Sequence, residues 1–94
     1  MLNIYRVRGD SMIPTLKDGD YVVAARLPGA RKGRLVVVDH PACGIIVKRV
    51  LRRSREGILL ESDNVLGTTT REMGLVAPGR ILGTVLFAVR RPGR

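Results

Sequence analysis

The sequence predicts a mainly β protein, a coiled antiparallel sheet folded on itself with little helix. Three observations carry that expectation. No segment of helical length has a convincing 3.6-residue apolar period. Eleven glycines and five prolines are spread along the 94 residues, which suits short strands joined by many turns. The chain is 45% hydrophobic but only 3% aromatic, so its core must be aliphatic, built from Val, Leu and Ile. Branched side chains of that kind favour the pleated surface of a sheet.

Each element follows from its local sequence. Residues 4–7 read as a short strand, and Asp18-Gly19-Asp20 as a turn that leads into a strand over 21–27. The Pro28-Gly29 loop runs to Gly33, and residues 35–39 form a β-branched strand. Pro41-Ala42-Cys43-Gly44 turns the chain into a long strand over 45–53. Arg55-Glu56-Gly57 is a tight turn before a strand over 58–62. Residues 68–73 are expected to be irregular, 76–79 a turn, and 81–89 the last strand. Ninety-four residues allow a single domain, 1–94, with one modest core.

Composition narrows the function. One cysteine, Cys43, and one histidine, His40, offer neither a disulfide nor a metal set, so no cofactor or metal is expected. No apolar stretch approaches the roughly 20 residues needed to span a bilayer. The first six residues lack the apolar centre of a secretory signal, and together these features predict a cytoplasmic protein. The net charge is +9, with basic residues grouped at Arg31-Lys32, Lys48-Arg49, Arg52-Arg53, Arg55 and Arg90-Arg91. Such a surface attracts polyanions and allows weak association with an anionic surface. The scarcity of aromatics and the absence of a nucleic-acid-binding signature argue against a nucleic-acid partner.

The candidate chemistry lies in Gly9-Asp10-Ser11-Met12-Ile13-Pro14-Thr15-Leu16, followed by Gly19-Asp20. Ser11 sits on a turn at a strand end, where its hydroxyl is presented while its backbone N–H stays oriented. A serine hydroxyl needs an adjacent base to become a nucleophile. His40, with Asp39 beside it, is one candidate. Lys48, in Ile45-Ile46-Val47-Lys48-Arg49-Val50, is the other. Alternation places Ile46, Lys48 and Val50 on one face and Ile45, Val47 and Arg49 on the other. If the Lys48 face is the core face, desolvation lowers the lysine pKa from about 10.4 and yields a neutral amine. The plainer alternatives are an exposed strand lysine and a serine that only caps its own turn.

These segments resemble the serine–lysine peptidases of the signal peptidase I and LexA/UmuD-like group. The resemblance rests on the Ser11 block, on Val47-Lys48-Arg49-Val50, and on Ser62-Asp63-Asn64 followed by Arg71, Gly74 and Gly83. It covers nearly the whole chain in the family's order, and it implies a LexA/signal peptidase-like sheet. It implies Ser11 as nucleophile and Lys48 as base, with the Ser11 N–H and a backbone donor from Gly9-Asp10 forming the oxyanion site. Thr68 stands at the position of a serine that orients the lysine. Arg71 stands one residue early, without the family's aspartate partner. Met12 is expected to pack beneath the turn, Pro14 and Thr15 to set its shape, and Asp20 to bond backbone N–H groups.

LexA-like proteins cut themselves well upstream of the serine, and only ten residues precede Ser11. In size and organisation the chain is more similar to small anchorless proteases resembling those that mature nickel superoxide dismutase. That likeness implies cleavage in trans near the N-terminus of another protein. The substrate would bind as an added β-strand, with small side chains before the cut. A homodimer is compatible with the sequence. The alternative is a noncatalytic or self-cleaving dimerisation domain like those of LexA and phage repressors.

Overall fold

The computed structural model describes residues 1–67, 69–90 and 92. Seven strands form one antiparallel sheet: β1 (Leu2–Arg6), β2 (Tyr21–Ala25), β3 (Leu35–His40), β4 (Gly44–Ser54), β5 (Gly57–Glu61), β6 (Leu75–Val76) and β7 (Ile81–Val89). Their order across the sheet is β1-β2-β7-β3-β4-β5-β6, so the last strand inserts between β2 and β3. The expected mainly β architecture is what is observed.

Two elements depart from the sequence reading. The stretch expected to be irregular contains a one-turn helix, α1 (Thr70–Met73), and β6 occupies part of the expected turn, followed by a 3-10 turn at Pro78–Arg80. Four residues are too few for an apolar period to register. The signal that was available is local: the Thr69 hydroxyl accepts from the Glu72 N–H, and the Glu72 carboxylate accepts from the Thr69 N–H, a reciprocal cap.

Alternation along β3 explains how one sheet makes two cores. Val36 and Val38 join a cluster with Val50, Ile58, Leu60 and Met73, whereas Val37 joins Val7, Met12, Leu16, Val22 and Val47 on the other face. All three valines are fully buried, because the sheet coils until both faces of its central strand are covered. Register shifts at Val23/Ala24, Val37/Val38 and Val50/Arg52 supply the bends this requires. Among the described residues, no helix is long and apolar enough to cross a membrane.

Candidate active site

The Ser11 loop is fastened at its neck and from beneath. Val7 N–H donates to Asp20 O at 2.7 Å, and Gly19 N–H donates to Val7 O at 2.8 Å. The Asp20 carboxylate, fully buried, accepts from Lys17 N–H at 3.0 Å, the turn-closing role its position suggested. Met12 and Leu16 are each 1% exposed and lock the loop into the first core cluster. Burying two such side chains stabilises the loop by about 1.5–3 kcal/mol each. Ser11 lies half-buried above this anchor.

Lys48 is 4% exposed on the face it shares with Ile46 and Val50. Its Nζ donates to Ser62 Oγ at 3.0 Å. Burial pushes the Lys48 pKa below that of an ordinary lysine; Cys43 opposes the shift to a lesser extent. A neutral Nζ that donates to Ser62 keeps a lone pair for accepting a proton.

The segment from Ser62 to Asn64 joins the two candidate residues. Ser62 holds Lys48, and Asn64 N–H donates to Ser11 O at 2.9 Å. The Asn64 side-chain amide donates to Asp10 O at 2.9 Å. Between them, Asp63 accepts two hydrogen bonds from Arg49, at 2.8 and 2.7 Å, and one from the Thr15 hydroxyl. These partners hold the Asp63 carboxyl below the usual carboxylate range, Arg49 being the larger cause. Two extended residues span at most about 7 Å, so this segment keeps the Ser11 turn and the Lys48 amine in one neighbourhood. Among the described residues there is no direct hydrogen bond from Ser11 Oγ to Lys48 Nζ, and Ser62 occupies the amine.

A cleft of about 240 Å³ opens beside Ser11, walled on one side by Met12, Ile45, Ile46 and Val47, with Arg6 and Arg8 also on its lining. β4 pairs with β3 from Gly44 onward, but with β5 only from Arg49. Among the described residues, the second edge of residues 44–48 therefore has no strand partner where it borders the cleft. An extended chain laid there would find unpaired backbone groups, an apolar wall from Ile45, Ile46 and Met12, and the arginines Arg6 and Arg8.

His40 answers the question of the competing base. It is 7% exposed, its Nδ1 accepts from the N–H groups of Ala42 and Cys43, and its Nε2 donates to Met73 O at 3.1 Å. Both ring nitrogens are committed to holding the β3–β4 turn against α1, and no lone pair is left for Ser11.

The remaining sequence candidates fall as follows. Gly9, with φ of 78°, turns the chain out of β1 and gives its N–H to Asp18 Oδ1 at 2.8 Å. Asp10 is exposed, and its carbonyl accepts from Ile13 N–H and Asn64. Among the described residues, no hydrogen bond takes up the N–H of Asp10 or Ser11. Arg71 is exposed on α1, and the ion pairs of the described residues do not include it. Thr68 lies outside the described residues. Sequence reasoning missed the individual roles of Arg49, Ser62 and Asp63. The available signal was Arg49 itself, a cation that alternation places opposite Lys48 and that needs an acidic partner.

A family model described as Peptidase S24-like matches residues 2–85. No curated protein matches the chain.

Proposed function

The chain belongs to the Peptidase S24-like family, and on that premise we propose that it is a serine endopeptidase that cuts a peptide bond near the N-terminus of another protein. Ser11 is the nucleophile and Lys48 its base. The observation that carries this reading is the burial of a lysine with a hydroxyl partner, Ser62, among the described residues, within a short segment's reach of a serine on a fixed turn. A buried lysine without a carboxylate is costly to keep charged, and a neutral amine is what serine activation requires.

The reaction follows from these groups. Substrate lies extended along the free edge of residues 44–48, with a small apolar side chain in the cleft before the cut. Lys48 Nζ takes the Ser11 hydroxyl proton as Oγ attacks the carbonyl carbon. The N–H groups of Ser11 and Asp10, neither engaged among the described residues, receive the oxyanion. Gly9 gives that turn its shape. Lys48 then returns the proton to the leaving amine, and a water activated by the same amine releases the acyl chain. Ser62 orients the amine, with Thr68 as the second hydroxyl available for that task.

Purified protein should lose cleavage and acyl-probe labelling in Ser11→Ala and in Lys48→Ala, with the fold intact by circular dichroism. Full activity in Lys48→Ala would end the dyad. One observation favours a second reading, a noncatalytic dimerisation domain. Ile4, Tyr21, Phe87 and Val89 are exposed side by side on β1, β2 and β7. A protein that is dimeric at micromolar concentration and inert toward an acyl probe would favour that reading.

A further inference from the structure

The end of the sheet remote from Ser11 carries a second cleft, which the mechanism leaves unused. Arg53 stands five residues beyond Lys48 on β4, about 16 Å along the strand. Arg53 and Arg26 rim a cavity of about 310 Å³ floored by Ala30, Ile58 and Ile81. It adjoins a neighbouring groove of about 290 Å³ lined by Arg31 and Arg34, the two sharing Leu27 and Gly29. Among the described residues, no acidic side chain lines either one. None of these four arginines belongs to an ion pair among the described residues.

The arrangement is built around the β2–β3 loop. Gly29 has φ of 73°, and a Cβ there would lie 2.4 Å from Arg53 Nη1. The guanidinium therefore rests directly over the loop, beside a glycine whose positive φ shapes the turn. Four guanidiniums without an acidic partner among the described residues, two on each of the adjoining clefts, repel each other and raise the local affinity for carboxylate or phosphate, although Arg34 also donates to Val85 O at 3.4 Å.

The floor decides between anions. A phosphodiester backbone presents charge but little aliphatic surface, and it gains affinity from aromatic platforms that these two clefts lack. A peptide that alternates acidic and aliphatic side chains satisfies the arginine rim and the Ala30, Ile58 and Ile81 floor at once. We propose that this cleft is an exosite for an acidic, aliphatic-containing segment of the protein substrate. The proposal rests on the peptidase reading above, because it gives the same substrate a second point of attachment. A substrate held at both ends gains effective concentration at Ser11 without any new contact there.

Binding is measured on Ser11→Ala protein by fluorescence anisotropy, so the outcome does not depend on catalysis. The probe is a labelled peptide of about twelve residues alternating Glu with Leu, long enough to span both grooves. A Lys-for-Glu peptide and a labelled oligothymidine serve for comparison. The Glu–Leu peptide should bind, weaken as salt rises, and lose about tenfold or more in Arg26→Glu/Arg53→Glu. Arg26→Gln/Arg53→Gln, which introduces no like charge, should lose several-fold. Lys17→Glu/Arg55→Glu, an equal charge change at residues outside both grooves, should bind like the parent. Three results would overturn the exosite: no binding of the acidic peptide, equal loss in the Lys17/Arg55 control, or tighter binding of the oligothymidine that the same arginines control. Failure of the peptidase reading would show separately, as Ser11-containing protein that never cleaves or labels.

Discussion

At the scale of single residues, the account turns on the state of the Lys48 amine. Its folded pKa lies below its unfolded value, so the unfolded chain binds the extra proton in the interval between them. Stability therefore rises with pH across that interval and levels off near pH 10.4, the unfolded value. Lys48→Met removes the titration. Its stability relative to the parent should fall through the same window, with a slope of at most about 1.4 kcal/mol per pH unit, as read by urea unfolding at several pH values. A constant difference would mean that the amine is not desolvated. Ser62→Ala should slow cleavage on the order of tenfold by releasing the amine, because sub-ångström placement governs proton transfer. Thr68→Val, measured beside it, shows how the orienting task divides between the two hydroxyls: a rate lowered but not abolished is expected. Alternation alone put Lys48 on the face of Ile46 and Val50, so its setting was legible in the sequence. Its hydrogen-bond partner was not, since Ser62 reaches it only through the pairing of β4 with β5.

At the scale of elements, the 62–64 segment works as a clasp between the Ser11 turn and β4. Asp63→Ala leaves Arg49 half-buried without its acidic partner, holding only the Gly33 carbonyl among the described residues, and should cost about 2 kcal/mol. The sign of the pH dependence follows from the depressed Asp63 pKa. Its contribution is present above about pH 3.9 and is lost as pH falls through the lower folded value. The parent should thus approach Asp63→Ala in stability during acid titration, and a gap that persists in strong acid would contradict the clasp. Asn64→Ala removes the bond to Asp10 O and one to Leu66 N–H, for about 1–2 kcal/mol. It should also lower the cleavage rate more than it lowers substrate affinity. Strands of five or more residues were readable because Val, Ile and Leu alternate or run between turn residues. α1 and β6 were not, being too short for any period; only the Thr69–Glu72 cap marked the helix.

At the scale of the whole molecule, fold and candidate site differ in how far sequence carries. The aliphatic composition and spaced turns determine a sheet, but not that β7 inserts between β2 and β3. That insertion closes both cores over β3, and it depends on pairings as distant in sequence as Tyr21 with Val89 and Val38 with Ile81. The surplus of seventeen basic over eight acidic residues was visible at once. Its concentration around Gly29, where β2–β3, β4–β5 and β7 meet, appears only in three dimensions. The central claim, that buried Lys48 activates Ser11, is tested most directly without knowing the substrate. Intact-mass spectrometry of protein treated with a serine-directed acylating probe gives the rate of Ser11 modification at each pH. The account predicts a rate that rises to a plateau in the mildly alkaline range, below the titration of an ordinary lysine, and no modification in Lys48→Arg at any pH. A rate that is flat with pH, or a Lys48→Arg protein that still labels at Ser11, would contradict it.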